Sequence, residues 1–482
     1  MQWLFYNNDC MNTTIGKIRP HLVLAICCTS LLMVSMDATI VNVALPAIRR
    51  DLGAATSGLQ WVIDAYTLVV ASLLMLAGSI ADRVGRRRTF QTGLVLFTLA
   101  SALCSVAPSL GTLVAFRMLQ AVGASMLNPV AMSIITNTFV EPAARARAIG
   151  MWGAVVGIAM ALGPIVGGGL TETVGWRAIF WINLPLGAAA VVLAQRFVPE
   201  SRAPRPRRPD PVAQVLVLGA LAAVTYAVIE GPHDGFASPV IVGLFALAGL
   251  AVIALIAYER RRVEPLIDLR FFRSAPFSSA TVIAVCMFGT FAGFLFLNAL
   301  YLQEVRQLSA FTTGLYTLPL AVMTMICSPI SGALIGKRGP RLPLVIAGTA
   351  IACSAVMLSQ LEATTSLAWL IGSYVVFGLG FGMVNAPITN AAVSGMPRAQ
   401  AGVAAAIAST SRQVGASLGV AIAGAIAREH GAGFTASTHP FWWLAAAAGA
   451  IVVGLGLAAT SAWGARSRVA AAVLIEAGEG RA

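Results

Sequence analysis

The sequence predicts an all-α membrane protein that crosses a bilayer fourteen times, with both chain ends on one side. Three observations predict it. Of 482 residues 58% are hydrophobic and 11% charged, whereas ordinary globular domains carry about 25% charged residues. Apolar stretches of spanning length, about 17–25 residues each, recur from end to end. The basic residues gather at alternate ends of these stretches. A mean hydropathy of +0.83 leaves no room for a soluble domain.

The spans fall at 21–45, 59–81, 88–107, 110–138, 144–170, 176–195, 211–230, 238–257, 276–303, 311–335, 342–360, 367–393, 400–427 and 440–463. Loops between them are short except for two basic ones, 196–210 and 259–274. The first has the proline and charge content of an exposed linker. The second reads as a helix lying on the membrane surface, with Leu266, Leu269, Phe271 and Phe272 as its apolar side. The two spans between these loops carry few polar residues. Removing them leaves six helices on each side. The expected organisation is an N-terminal segment 1–20, a bundle 21–195, a linker with two additional spans 196–275, a second bundle 276–463 and a tail 464–482.

Charge sets the orientation. Most of the 32 Lys and Arg lie at one set of ends: Lys17, Arg19, Arg83, Arg86, Arg87, Arg88, Arg145, Arg147, the two long loops, Lys337, Arg338, Arg341, Arg398 and the tail. The opposite ends hold Arg49, Arg50, Arg177, Arg306 and Arg428. This positive-inside bias places both termini in the cytoplasm. The net charge of +13 is therefore topological, and nucleic acid is not an expected partner. Residues 1–16 hold no basic residue and the first apolar run is too long for a signal core, so no cleavable signal is expected. The seven cysteines form no CxxC and most lie inside spans, where inert thiols are the default. His21, His233, His430 and His439 sit near span ends and make neither a relay nor a metal cluster. A chain rich in Ala and Arg with two lysines points to a GC-rich bacterial genome.

Residues 78–90 read Gly-Ser-Ile-Ala-Asp-Arg-Val-Gly-Arg-Arg-Arg-Thr-Phe, five charges in a loop between two apolar runs. A basic loop is ordinary on the cytoplasmic side and accounts for Arg86, Arg87 and Arg88. It does not account for Asp82 set between Gly78 and Gly85 at this spacing. The stretch resembles the loop between the second and third helices of major facilitator superfamily transporters, patterned roughly G-x-L-A-D-R-x-G-R-K/R. An echo without the aspartate, Gly332-Ala-Leu-Ile-Gly-Lys-Arg-Gly-Pro-Arg341, holds the same place in the second half. Two six-helix halves related by an axis along the membrane normal, with a site between them, are the arrangement this resemblance implies. The two extra helices match its fourteen-helix branch. Gly332 to Lys337 has one residue too few between its glycines for a phosphate-binding loop and no following Ser or Thr. No cofactor is expected, and a proton gradient rather than ATP is the expected energy source.

Asp37, in Ser-Met-Asp-Ala-Thr-Ile-Val-Asn-Val-Ala-Leu-Pro, lies about 13 Å inside the first span at 1.5 Å per residue. Arg117, in Leu-Val-Ala-Phe-Arg-Met-Leu-Gln, lies about 10 Å inside the fourth. Ionisable residues within spans usually face a cavity or a partner. Burial raises a carboxyl pKa and a nearby Arg lowers it, so a carboxylate between these effects can exchange a proton when either changes. A static ion pair locking two helices is the competing reading. The sequence resembles the drug:proton antiporters here, which implies proton coupling by Asp37 assisted by Arg117. Ala121 departs from the family pattern R-x-x-Q-G, which puts local packing, not charge, in question.

Asp64, about 9 Å inside the second span, is either a second acid at the outer vestibule or a hydrated helix-end residue. Trp61 and Tyr66 either line the cavity or anchor at the interface. Asn42, Gln120, Asn298, Tyr301, Asn385 and Asn390 offer neutral hydrogen-bonding groups to a pocket, or serve only to hold helices together. Arg412, in Thr-Ser-Arg-Gln-Val-Gly, either contacts substrate or pins a helix pair. The fifth span carries Gly153, Gly157, Gly163, Pro164, Gly167 and Gly168, small residues that permit close helix approach. Their pattern resembles the signature of superfamily antiporters as opposed to symporters. Gly175-Trp-Arg-Ala-Ile-Phe-Trp-Ile-Asn-Leu-Pro185 is similar to a stretch typical of the fourteen-helix branch.

The resemblance covers about residues 20–463. It implies a monomeric, proton-driven exporter of drugs or antibiotics in a bacterial cytoplasmic membrane. Asp82, beside Gly78, Arg83, Gly85, Arg86 and Arg87, is expected to latch onto the positive N-terminal end of the helix beginning near Gly402. Export of an endogenous metabolite (an amino acid, siderophore or self-made antibiotic) and proton-coupled uptake are the other readings. An enzyme is not expected, because no nucleophile–base or metal constellation is present.

Overall fold

The computed structural model describes residues 19–203, 210–262, 265–393, 401–427 and 433–479. Among these it is all helical: α1 (Pro20–Leu52), α2 (Thr56–Val84), α3 (Arg86–Ser105), α4 (Leu110–Thr138), α5 (Pro142–Thr173), α6 (Ala178–Trp181), α7 (Asn183–Phe197), α8 (Pro211–Asp234), α9 (Pro239–Glu259), α10 (Ala275–Leu300), α11 (Ala310–Arg338), α12 (Arg341–Leu358), α13 (Leu367–Val393), α14 (Ala401–Ala427), α15 (Gly433–Ala459) and α16 (Ala462–Glu479). Local chemistry sets many of the ends. Pro20 starts α1 where a missing N–H costs nothing, and Gly53 ends it at φ 62°. Ser109 and Thr112 form a capping box on α4, and Asp210, Ser238 and Ser309 cap α8, α9 and α11.

Among the described residues, twelve helical segments are long and apolar enough to cross a membrane. The chain is a multi-pass membrane protein. Two predicted spans, α3 and α14, are helical but fall outside that set. Arg86, Arg87 and Arg88 occupy the first turn of α3, and Arg412 and Gln413 interrupt the small apolar residues of α14.

The packing repeats. In the first half α1 packs on α5, α2 on α4 and α3 on α7; in the second, α10 packs on α14, α11 on α13 and α12 on α15. The halves meet along α5–α11 and α2–α14. The added helix α8 seats on α2 and α14, while α9 packs on α8 and leaves Val240, Leu250 and Ile253 exposed. Trp61 Nε1 donates to Glu230 at 2.9 Å, and the Trp61 and Tyr226 rings lie 5.8 Å apart, which fixes α8 to its neighbour in the first half.

Two expectations change near the chain's end. Among the described residues of 259–274, the predicted surface helix is a single 3-10 turn, Leu269–Arg273, in which Phe271 is buried but Phe272 exposed. Pro265 and the Asp268 cap leave room for no more. The tail forms α16 instead and docks on that turn, with Ala275 N donating to Ser467 Oγ at 3.0 Å and Arg270 Nη1 to the Leu474 carbonyl at 3.4 Å. The last span ends at Ala459, before the predicted 463.

Candidate functional site

Asp37 stands at the centre of a buried polar cluster built by four helices of the first half. α4 presents Arg117 and Gln120 three residues apart, hence on one face. Arg117 Nη1 meets Asp37 Oδ2 at 2.5 Å, and Gln120 Nε2 donates to Asp37 Oδ1 at 2.8 Å. From α7, Asn183 Nδ2 donates to the same oxygen at 3.3 Å. Ser101 of α3 supports the ring, its Oγ lying 2.7 Å from Gln120 Nε2 and 3.2 Å from Asn183 Nδ2. Arg117 also donates to Gln120 Oε1 at 2.6 Å and to the Val62 carbonyl at 3.2 Å, and lies 4.2 Å over the Tyr66 ring. Asp37, Arg117, Gln120, Ser101 and Asn183 are each at most 1% exposed. Of these groups only the Asp37 carboxyl can take and release a proton, because an arginine does not let go of its own. Sequence reasoning found Asp37 and Arg117, took Gln120 as a cavity residue and missed Ser101 and Asn183. Asn183 stood in the Gly175–Pro185 stretch, which was its one available signal.

The fifth-span glycines serve two neighbours. Gly163 and Gly167 face Thr39 and Ile40 of α1, whereas Gly157 and Gly168 face Met325 and Ala310 of α11. A Cβ on Gly168 would lie 2.4 Å from the Ala310 carbonyl oxygen, and one on Gly314 would lie 2.3 Å from that of Pro164. Backbone meets backbone here, across the seam between halves. The surroundings of Gly153 lie outside the described residues.

At the ends opposite the 78–90 loop, further bonds cross between the halves. Arg49 Nη1 pairs with Glu304 at 2.7 Å, Gln303 Nε2 donates to the Val43 carbonyl at 2.8 Å, and Gln60 Nε2 donates to that of Ala421 at 2.8 Å. Phe311 N donates to Glu172 Oε2 at 3.2 Å. The halves are therefore bolted together at this face.

The comparisons with known proteins agree with this architecture. A family model described as the Major Facilitator Superfamily matches residues 27–420. The chain belongs to that superfamily. It is 37% identical over 409 residues to the tetracenomycin C resistance and export protein of Streptomyces glaucescens, covering 85% of this chain and 76% of that one. It is 34% identical to the multidrug efflux pump LfrA of Mycolicibacterium smegmatis, with 86% and 82% covered, and 33% identical to the methylenomycin A resistance protein of Bacillus subtilis, with 84% and 87% covered. In fold it matches the crystal structure of a POT family transporter in complex with 5-aminolevulinic acid, with a TM-score of 0.71 at 16% identity, over 92% of this chain and 96% of that one.

Within this superfamily member the remaining predicted residues scatter. Asp64 is wholly buried where α2 meets α14, near Thr67 and Ser417, and neither carboxylate oxygen has a hydrogen bond of normal geometry. Tyr66 joins the Asp37 cluster through Arg117, whereas Trp61 turns to Glu230. Asn42 is buried and donates to the Ala38 carbonyl of its own helix at 3.0 Å. Asn298 is paired with Tyr374, and Tyr301 Oη donates to the Glu362 carbonyl at 2.6 Å. Arg412 Nη2 donates to Thr389 Oγ1 at 2.6 Å, with its guanidinium 5.7 Å from the Phe288 ring. Asn385 is half-buried, and Asn390 lines a separate cavity at the helix ends.

In the 78–90 loop, Asp82 Oδ1 accepts from Arg86 Nη2 at 2.9 Å, and the Asp82 carbonyl accepts from Ala203 N at 3.1 Å. Arg83 is exposed, and Glu200 rather than Asp82 meets Arg87, accepting from its backbone N–H at 3.1 Å. Gly85 takes a φ of 128°, a left-handed turn that suits glycine, but a Cβ on Gly78 would touch nothing within 4 Å. Residues 394–400, and the side chains of 401–402, to which the latch expectation refers, lie outside the described residues.

Proposed function

We propose that this superfamily member exports drugs, antibiotics or similar small amphipathic molecules from the bacterial cytoplasm in exchange for protons. The observation that carries the reading is Asp37, a deeply buried carboxylate gripped by Arg117, Gln120 and Asn183 in a protein of a transporter family. The names of its relatives, resistance, export and efflux proteins, support drug cargo. On this reading α3 and α14 complete fourteen spans, both termini lie in the cytoplasm, and the monomer alternates between two access states. The cross-half bonds at Arg49–Glu304 and Gln60–Ala421 support assigning the present arrangement to the state closed outward.

Proton entry from outside neutralises Asp37 and loosens its grip on Arg117. Release of that proton to the cytoplasm restores the pair. Each proton falling through 100 mV supplies about 2.3 kcal/mol, enough to hold roughly a fifty-fold gradient of cargo. In the outward-open state Asp82 exchanges its local pair with Arg86 for the positive end of α14, latching the cytoplasmic side. Asp64, Asn385 and Arg412, from both halves, are the groups offered to cargo between them. The test is a drug-susceptibility panel in a pump-deficient host, with proton-driven uptake into inverted vesicles. Wild type should protect and transport, and Asp37→Asn should do neither while inserting normally; unchanged proton-dependent transport by Asp37→Asn would end the assignment. Export of a self-made antibiotic is a second reading, favoured by the name of the Streptomyces glaucescens relative.

A further inference from the structure

The two halves differ at one corresponding place. In the first half the turn between α2 and α3 is filled by an acid. Glu200, just beyond the end of α7, lies against Gly85, accepts from Arg87 N at 3.1 Å and sits 3.8 Å from Arg88 Nε. It thereby supplies negative charge both to the arginines and to the N-terminal end of α3.

The second half repeats the scaffold without the acid. Gly339, seven residues after Gly332 as Gly85 is seven after Gly78, turns with a φ of 76°, and Arg341 stands where Arg87 stands. The end of α15 takes the place of the end of α7. Where Glu200 would be, the chain offers Thr460 and Ser461, and a cavity of about 370 Å³ opens instead. Among the described residues, Arg338, Arg341 and Arg468 line it together with Ser461, Thr460 and Asn390, and no Asp or Glu does. No side chain caps the first turn of α12, whose N-terminal end faces this space. Arg468 is brought there by α16, the helix that docks on the turn at Leu269–Arg273.

Two cations, Arg338 and Arg341, hydroxyl donors and a helix N-terminus around an open volume form an anion site, and the first half shows what fills the matching space. We propose that this cavity binds a phosphate-bearing anion that stands in for the missing carboxylate and clamps α16 to the second half. A lipid headgroup and free phosphate share that chemistry. The surroundings favour the headgroup: Trp463 and Val469 of α16, close in sequence to the lining residues Ser461 and Arg468, are each 61% exposed, as residues dipping into a bilayer surface would be.

The experiment uses the full chain and follows thermal unfolding by tryptophan fluorescence. Three conditions are compared: nanodiscs of phosphatidylglycerol, nanodiscs of phosphatidylcholine, and detergent with inorganic phosphate. Wild type should melt about 3 °C higher with phosphatidylglycerol than with phosphatidylcholine. The double variant Arg338→Gln/Arg341→Gln should lose that difference. A control pair on exposed arginines of the same face, Arg202→Gln/Arg260→Gln, should keep it. Ser461→Glu should also lose it, because it supplies the carboxylate in place while every arginine stays. An equal rise from inorganic phosphate in detergent would support the site and name free phosphate as its source. Two results would overturn the proposal: no rise with either phosphate source, or a full rise retained in both Arg338→Gln/Arg341→Gln and Ser461→Glu.

Discussion

A carboxylate held by three donors inside a membrane is an expensive arrangement unless its charge changes during work. Removing Arg117 alone strands the Asp37 charge, so Arg117→Ala should cut folded yield, in line with the about 3–5 kcal/mol cost of orphaning a buried ion. The double variant Asp37→Asn/Arg117→Gln removes both charges and should recover the yield. It should not recover proton-driven transport, and recovery of both would convert the cluster into a structural pin. Asn183→Ala deletes one donor worth about 1 kcal/mol and should slow transport about five-fold with folding intact, as measured in vesicles. Asp37 and Arg117 were legible in the sequence because charge inside an apolar run is rare and their depths agree. Ser101 and Asn183 were not, since a neutral polar residue in a span looks the same whether it touches a neighbouring backbone or a working carboxylate. The Trp61 bond to Glu230 was not legible for a related reason: Glu230 sits on α8, a helix whose few polar residues drew no attention.

Helices follow from hydropathy, but where they touch follows from residues with no side chain to read. Every predicted span is helical, and even the arginine-headed α3 and the interrupted α14 keep their places in the packing. The docking of α16 was not legible, because its contacts run through Ser467 and a backbone carbonyl rather than through an apolar stripe. The glycines of α5 were legible as small residues but not as a divided surface, with α1 on one side and α11 on the other. How closely a neighbour approaches yields a contrast between two Gly→Ala changes on other helices. Gly314→Ala forces a carbon against the Pro164 carbonyl and should lower thermal stability by about 1–3 kcal/mol, the usual cost of overpacking. Gly78→Ala meets open space and should leave stability unchanged or raise it by up to about 1 kcal/mol. If the latch closes in the opposite state, Gly78→Ala should nevertheless impair transport, and full activity would show that α2 makes no closer contact there.

At the scale of the whole molecule, the proposed export cycle requires the closed face to open for cargo to leave, and its bonds set how easily it does so. The Arg49–Glu304 pair is about 30% exposed on both partners, so its contribution is held to about 0–1 kcal/mol by water and salt. Breaking it alone should shift the balance between access states by no more than about five-fold. Gln303 and Gln60 are buried, at 8% and 0% exposure, and each donates to a carbonyl across the seam, so each adds about 1 kcal/mol that solvent screens less. Losses at separate sites add approximately. Arg49→Ala with Gln303→Ala and Gln60→Ala should therefore move the equilibrium about a hundred-fold toward opening at this face, where Arg49→Ala alone barely moves it. Spin labels at Leu52 and Gln307, one on each half, report the change as a longer distance population in pulsed electron resonance. The swap Arg49→Glu/Glu304→Arg should keep the short distance of the parent, because it reverses the pair without removing it. A triple variant that keeps the parent distance distribution would mean that the backbone seam of Gly168 and Gly314, not these side chains, holds the face shut.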